Sequence, residues 1–534
     1  MSTGTRFNVR AFGATGDGTT LDTEAIRAAI AAAVSAGGGT VFLPAGIYAS
    51  TSLRLHSRIT LELGPGATLL AAPQDPATCH SISDTLPGGS VGYDAPEPNE
   101  WGDVHRYQDF GHSHWHNSLV WAEDAEDVAI VGQGRIDGRG LHHGLDEDIN
   151  ELEGGANKAI GLKRCRRVLI RDITIERGGH FAVLATGVDF LTIEHVTVDT
   201  QRDGLDIDCC RFVTVTGCRV NTPHDDAIVL KSSYALGEAR ATENVTITDC
   251  TVSGFDLGTL ADGSLGRSQW SAPDGDGPTG RIKLGTESHG GFRDIIVANC
   301  SFVRSRGFAI ESVDGAVIEN VVVSNLVMRE IVSSPIFIRL GARLRGPEGT
   351  SVGRVRGVRI DNVFVDDADC RFASLISGMP GHPVEDVVIS RIHVRYRGGL
   401  NLAQVADQPK ELVSAFFQHG PDAGTGRREP FAVPERPEAY PEPSMFGLLP
   451  AYGLYARHVD GLELRDVRMT LLSDDDRPVV VLDDVRNVGV EGFDAERPAR
   501  QSLFVLRNVT DFAAARCAGI DSVRREGLTT EDVR

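Results

Sequence analysis

Five aspartates stand within Gln201–Lys231 (QRDGLDIDCCRFVTVTGCRVNTPHDDAIVLK), at positions 203, 206, 208, 225 and 226. The hexamers that open at Asp203 (DGLDID) and at Asp226 (DAIVLK) begin 23 residues apart. They share one pattern: Asp, a small residue, then apolar, variable, apolar and charged. Carboxylates brought close together repel, and the repulsion raises the proton affinity of one of them. Such a cluster can hold a proton donor beside a proton acceptor near neutral pH, which is what general acid–base catalysis needs. Single Asp residues also satisfy backbone N–H groups at turns. A doubled Asp225–Asp226 stacked on Asp203 goes beyond that need, provided that 23 residues return the chain to the same place.

The rest of the chain is periodic in just that way. From Asp127 onward one unit recurs, as VLIRDITIE (168–176), LTIEHVTVD (191–199), VTVTGCRVN (213–221), VTITDCTVS (245–253) and IIVANCSFV (295–303). It continues as VVVSNLVMR (321–329), VRIDNVFVD (358–366), VVISRIHVR (387–395), LELRDVRMT (462–470) and VGVEGFDAE (488–496). The first starts are 23 and 22 residues apart and later ones are stretched by insertions, the signature of a solenoid with loops on one face. Apolar residues alternate up to a phase shift at Asp172, Gly217, Asp249, Asn299, Asn325 and Asn362, so each unit reads as two short strands joined at a bend. Cys218, Cys250 and Cys300 fall at one position and read as small hydrophobes stacked inside the coil. No 3.6-residue period appears, and the spacing does not match a propeller blade. A parallel β-helix fits.

A further strand follows each unit: DGLDID, DAIVLK, GRIKLG (280–285), RGFAIE (306–311) and SPIFIR (334–339). With Leu205/Ile207, Ile228/Leu230, Ile282/Leu284, Phe308/Ile310 and Ile336/Ile338 pointing inward, alternation turns the residues between them outward. Neighbouring strands lie about 4.8 Å apart, which stacks Asp203 beside Asp226 with Asp225 next to them. The outward rows pair Asp208 with Lys231 and carry Lys283, Glu311 and Arg339.

Other features set bounds. The net charge of −21 excludes non-specific binding to nucleic acid or to an anionic membrane. Nine cysteines, an odd number without a CxxC pair, speak against a disulfide framework and for free thiols at Cys209 and Cys210. No apolar stretch is long enough to span a bilayer. The first residues lack a signal peptide's basic and apolar regions, so the chain reads as cytoplasmic as it stands, or as secreted after loss of a leader. Residues 1–50 read as a strand and an Ala-rich capping helix, begun at Asp22 or Thr23 and stopped by Gly37–Gly39. Residues 51–515 read as the coil, with insertions at 73–118 and 400–455, and 516–534 as a frayed polar tail. The first insertion holds His105, His112, His114 and His116; we read it as a loop folded over a groove rather than as a metal site. The second is read as an ordered excursion packed on the coil, since Pro keeps it out of a central strand.

On these residues the chain resembles a known family. AFGATGDGTTLDTEAIRAAI is similar to the opening of pectin-degrading β-helix enzymes. RDGLDI and HDDAIVLKSS resemble the NTDG and DD motifs of glycoside hydrolase family 28, the polygalacturonase family. The resemblance implies a right-handed parallel β-helix and hydrolysis of galacturonide bonds with inversion. By motif, Asp225 resembles the general acid, and Asp203 and Asp226 the pair that activates water. Two family motifs are altered: Gly280 stands where a His is expected, and a substrate-gripping RIK falls on Ala309, Ile310 and Glu311. Arg281, Lys283 and Arg339 could take over a grip on a uronate carboxylate, or Glu287 and Glu311 could bond the hydroxyls of a neutral sugar. His289 could replace the missing His, and Lys231 borders the site.

The expected partner is an oligo- or polysaccharide, attacked from a chain end because the insertions would wall a groove, with no cofactor and no metal. A lyase or epimerase on a similar coil, or a non-catalytic glycan-binding β-helix, remain the alternatives. The Asp cluster could hold Ca²⁺ in the former, although Lys231 weakens a cation site.

Overall fold

The computed structural model describes residues 5–74, 92–98, 106–108, 111–142, 155–268, 272, 276–413, 427–498 and 500–534. The chain forms two compact units, Met1–Thr251 with Phe255–Gln269, and Val252–Gly254 with Trp270–Arg534. Each is a stack of parallel β rungs, so the fold is a parallel β-helix.

In the first unit each turn holds three strands. Phe181–Thr186, Asp189–Glu194 and Thr197–Asp199 make one turn, and Asp203–Asp208, Arg211–Thr216 and Arg219–Asn221 make the next. Each strand pairs in parallel with its counterpart one turn on, and Leu205 meets Ile228, Asp206 meets Val229, Ile207 meets Leu230 and Asp208 meets Lys231. That is the register expected from the inward residues, and Leu205, Ile207, Ile228 and Leu230 are all fully buried. Burying each such side chain stabilises the coil by about 1.5–3 kcal/mol. A one-residue slip would turn the whole set outward, so the register is strongly specified. The N-terminal helix Thr23–Ser35 buries Ile26, Ala29, Ile30 and Ala33. Asp22 stands at its N-cap, but its carboxylate accepts instead from the amides of Thr15 (2.7 Å) and Gly16 (2.9 Å).

In the second unit the strands run through the bend, as in Val317–Ile331 and Arg354–Ala368. Here too the register matches the expectation: Phe308 meets Ile336, Ala309 meets Phe337 and Glu311 meets Arg339. Residues 427–455 cover the outward row, with Val433, Met445, Phe446 and Leu449 packed on Ala309 and Phe337. The last residues do not fray. Val523–Val533 forms a strand antiparallel to Phe504–Ala515. It pairs the edge that the preceding strand would otherwise leave open.

The bends use the left-handed backbone region. Asp172, Gly217, Asp249, Asn299, Asn325 and Asn362 all have φ between 54° and 64°. Apart from Gly, Asn and Asp tolerate this region best, because the short polar side chain bonds locally. Here the amides also join rung to rung, Asn325 Nδ2 donating to Asn299 Oδ1 (3.0 Å) and Asn362 Nδ2 to Asn325 Oδ1 (2.8 Å). Cys218, Cys250 and Cys300 are buried thiols outside any disulfide, as are Cys209 and Cys210. Asn325→Ala should lower the unfolding free energy by about 1–2 kcal/mol in urea titrations, with Asn325→Gly recovering most of the loss. Equal stability of the Ala variant and the parent would remove the bends from the forces that hold the rungs.

Candidate active site

The rung register builds the site. Phe181 meets Asp203, and the Asp203 strand continues onto the next turn through Gly204 N–H to Asp226 O (3.0 Å) and Leu205 N–H to Ala227 O (2.9 Å). Two columns result at the bend, one of Phe181, Asp203 and Asp226, the other of His180, Arg202 and Asp225. Oxygens of Asp203, Asp225 and Asp226 come within 4.8 Å of one another. The structure therefore brings the three predicted carboxylates together. Asp203 and Asp226 are buried, and Asp225 keeps 24 % of its side chain exposed. Local bonds hold the doubled Asp: Thr222 Oγ1 donates to Asp225 O (2.7 Å), and Asp225 Oδ1 accepts the amide of Asp226 (3.0 Å).

Charge is distributed unevenly over the cluster. Burial, and then the charges of Asp225, Asp206 and Asp226, push the Asp203 carboxyl well above the usual range, against the pull of Lys231. Arg202 Nη2 donates to Asp225 Oδ2 at 2.8 Å and lies 3.5 Å from His180 Nε2. Burial, and then the charges of Arg202, Lys158 and Lys231, drive His180 well below the ordinary imidazole range, so it is neutral.

Lys231 is not paired with Asp208. The Asp208 carboxylate is taken by the amide (2.8 Å) and hydroxyl (2.6 Å) of Ser233. Lys231 Nζ instead lies 3.2 Å from Asp206 Oδ2 and 2.5 Å from His112 Nε2, which is itself 2.9 Å from Asp206 Oδ2. With Lys231 donating, the His112 ring accepts. All three groups are buried. His112 reaches them because Gly111 (φ 77°) lies against Phe181, where a Cβ would come within 2.9 Å of the ring.

The alternate histidines therefore do not share one face. His112 turns to the aspartates, while His116 bonds Glu123 (2.7 Å) and stacks on Trp121 with ring centroids 3.9 Å apart. His105 lies outside the described residues. Among the described residues, three clusters have ligand atoms close enough for an ion: Glu97/His116/Glu123, His112/Asp203/Asp206, and Asp203/Asp225/Asp226. Side-chain cations already reach each of them, from Arg164, Lys231 and Arg202 respectively.

The other expected binding residues lie in the second unit and divide among different partners. Arg281 is bridged by both oxygens of Glu442 (2.5 and 3.1 Å), which also meets Arg306 at 3.4 Å. Glu311 is 4.0 Å from Arg281. Lys283 is buried, with Nζ 3.4 Å from Thr286 Oγ1. Glu287 faces Arg345 at 3.6 Å, and His289 Nε2 bonds the Arg345 carbonyl. Arg339 is not presented to a ligand: it donates to Ser377 Oγ and to the carbonyls of Gly378, Glu435 and Arg436. Burial brings its guanidinium down to about 10. A grip through Arg339 is thereby corrected to a structural clamp, because Ser377, Gly378, Glu435 and Arg436 supply acceptors for it.

Residues 6–74 match a family described as rhamnogalacturonase A/epimerase, pectate lyase-like, and residues 106–273 match glycosyl hydrolases family 28. A probable polygalacturonase of Vitis vinifera is 27 % identical over 301 residues, 53 % of this chain and 52 % of the relative. A family 28 exopolygalacturonase from Yersinia enterocolitica shares the fold, with a TM-score of 0.61 and 17 % identity over 91 % of this chain and 78 % of that one. Over residues 106–273 the chain is thus similar to glycoside hydrolase family 28. A mannuronan C5-epimerase of Azotobacter vinelandii is 69 % identical, but over 42 residues, 2 % of that protein. The chain thus spans about half the length of the plant relative and a small part of the epimerase.

Gly280 has φ 48°, and a Cβ there would stand 2.3 Å from the Ser253 carbonyl. Backbone fills the space in which the expected His would begin. The sequence singled out His112 only as part of a loop and passed over His180 and Arg202. Their signal was available: each of the latter two stands one residue before its rung's first strand residue. Lys231→Met, which leaves Asp206 buried without its cation, should cost about 3–5 kcal/mol in urea unfolding. The double variant with Asp206→Leu should recover most of that. A neutral Lys231→Met would show that the pair does not stabilise the fold.

Proposed function

We propose that this protein is an inverting glycoside hydrolase that removes a terminal sugar from a pectin-type oligo- or polysaccharide. The convergence of Asp203, Asp225 and Asp226 carries the reading. Hydrolysis of a glycosidic bond needs one carboxylic acid to protonate the leaving oxygen and one carboxylate to activate water, and this cluster holds carboxyl groups in unlike surroundings. The names of the relatives support a pectic substrate. An exo-poly-α-D-galacturonosidase of Dickeya chrysanthemi, 30 % identical over 193 residues, supports action at a chain end.

Inverting enzymes separate their carboxyl groups by about 6.5–9.5 Å and retaining ones by about 5–5.5 Å. The nearest oxygens of the trio lie within 4.8 Å, a measure that understates the distance between whole carboxyl groups. Stereochemistry is therefore the deciding measurement. Incubation with oligogalacturonides and with aryl glycosides of neutral sugars should release new reducing ends without the ultraviolet absorbance of an unsaturated uronide. Proton NMR should show the first-formed anomer inverted. Asp203→Asn and Asp225→Asn should each lower turnover about 10²–10⁴-fold. Unsaturated product would replace hydrolysis with elimination, and a retained anomer would replace inversion with a double displacement.

A further inference from the structure

In the second unit one imidazole joins the covering segment 427–455 to the coil. His458 stands on the strand Leu454–Leu471 and is 9 % exposed. Its Nδ1 lies 2.6 Å from Asp484 Oδ2, and its Nε2 lies 3.1 and 3.2 Å from the two carboxylate oxygens of Glu435. We infer that His458 is a pH-operated clasp: as the imidazolium it ties residues 427–455 to the coil, and on losing its proton it lets them loosen.

A neutral imidazole has one N–H and one lone pair, whereas the imidazolium has two N–H groups. With a carboxylate at each nitrogen, the neutral ring would turn its lone pair on one of them. Only the imidazolium makes both contacts at once, and hydrogen bonds between ions are the stronger kind. The rung register fixes one contact: Arg457 meets Asp483 and Val459 meets Val485, so His458 and Asp484 occupy matching positions of consecutive rungs. The other contact reaches back 23 residues to the covering segment.

The charges around the ring come from every neighbouring element. Glu435 stands on the segment and Asp484 on the following rung. Arg457, on the strand of His458 itself, lies 2.9 Å from Glu435 and 3.5 Å from Asp483. Arg339, on an earlier rung, donates to the carbonyls of Glu435 and Arg436. The rung before His458 turns at residues 378–383, whose one titratable group, His382, is exposed. Burial opposes a charged ring at His458, but the bonds to Glu435 and Asp484 and the charge of Glu435 outweigh both burial and Arg457, and the ring holds its proton above the ordinary imidazole range. Glu435 moves the opposite way: burial is outweighed by the bond to His458 and by the charges of Arg457, His458 and Arg339, which hold its carboxyl below the usual range.

Other polar anchors of the segment run through arginines: Arg281 and Arg306 meet Glu442, Arg339 meets the two carbonyls, and Arg457 meets Glu435. A guanidinium keeps its charge throughout the neutral range, so the imidazole is the member that responds to pH there. Its proton affinity is higher in the folded chain than in an unfolded one. The stabilisation it gives is therefore complete below about pH 6.5 and is lost as pH rises through the elevated folded value. The segment is held most firmly in mild acid and loosens in mild alkali, where Val433, Met445, Phe446 and Leu449 cover Ala309 and Phe337 less completely.

Hydrogen exchange read by mass spectrometry on the full chain tests the clasp. Protection factors of peptides within residues 428–453, corrected for the intrinsic base catalysis of exchange, should fall about tenfold or more between about pH 6 and pH 9, since one unit of elevation is a tenfold change in equilibrium. Peptides from the strand Val317–Ile331 should keep theirs; a parallel fall there would mark general alkaline loosening and overturn the clasp. His458→Gln, neutral at every pH, should show the lowered protection throughout and no slope. Asp484→Asn should move the midpoint to lower pH. If His458→Gln does not fold, Glu435→Gln, at a side chain 34 % exposed, removes the segment's own carboxylate and should abolish the slope as well. Wild-type protection that does not change with pH, or a slope that survives either glutamine substitution, overturns the inference. The measurement needs no substrate, so its outcome stands apart from the hydrolase reading.

Discussion

Everything at the site depends on the backbone ladder that holds one rung against the next. Strands bonded in register are about 4.8 Å apart, and side chains at matching positions cannot drift away from one another. Inward, this lets Leu205 and Ile207 bury against Ile228 and Leu230. At the bend it forces Asp203, Asp225 and Asp226 into a proximity that free carboxylates would escape. The apolar column thus stabilises an arrangement that electrostatics alone would disperse. The proton affinities of the cluster follow from that confinement rather than from any one residue type.

Cations set the pattern within the confined space. Lys231 lies between Asp206 and His112, and Arg202 between His180 and Asp225. Each compensates one acidic group and leaves Asp203 outside both pairings. A uniform acidic patch is in this way resolved into unlike carboxyl groups, and unlike carboxyl groups are what acid–base chemistry uses. The second unit shows the same economy in another form: Glu442 occupies Arg281, and carbonyls of residues 435 and 436 occupy Arg339.

The parts of the fold that follow from local periodicity were legible in the sequence. The alternation around Leu205 and Ile228 determined the register, and polar residues at the phase shift marked the bends at Asp172, Asn299 and Asn325. The aspartate trio followed, because its members stand at matching positions of consecutive rungs. What stayed hidden depends on contacts that have no period. His112 reaches Asp206 across 94 residues, and Glu442 reaches Arg281 across 161, each from an insertion whose path no repeat dictates. Asp208 and Lys231 do face each other in register, yet Ser233 won the carboxylate because a bend brought its amide and hydroxyl closer. The final residues, polar and apparently unstructured, form a strand because an open edge is a better template than solvent.

Gly280 carries a consequence of an evolutionary kind. With φ at 48° and the Ser253 carbonyl in the place of its Cβ, the position accepts no side chain unless two backbone segments move together. A glycine codon is two base changes from a histidine codon, and the Arg or Asp between them would already put a Cβ against the Ser253 carbonyl. Adaptation to new sugars must therefore run through side chains borne on other rungs and on the insertions, where space is still negotiable.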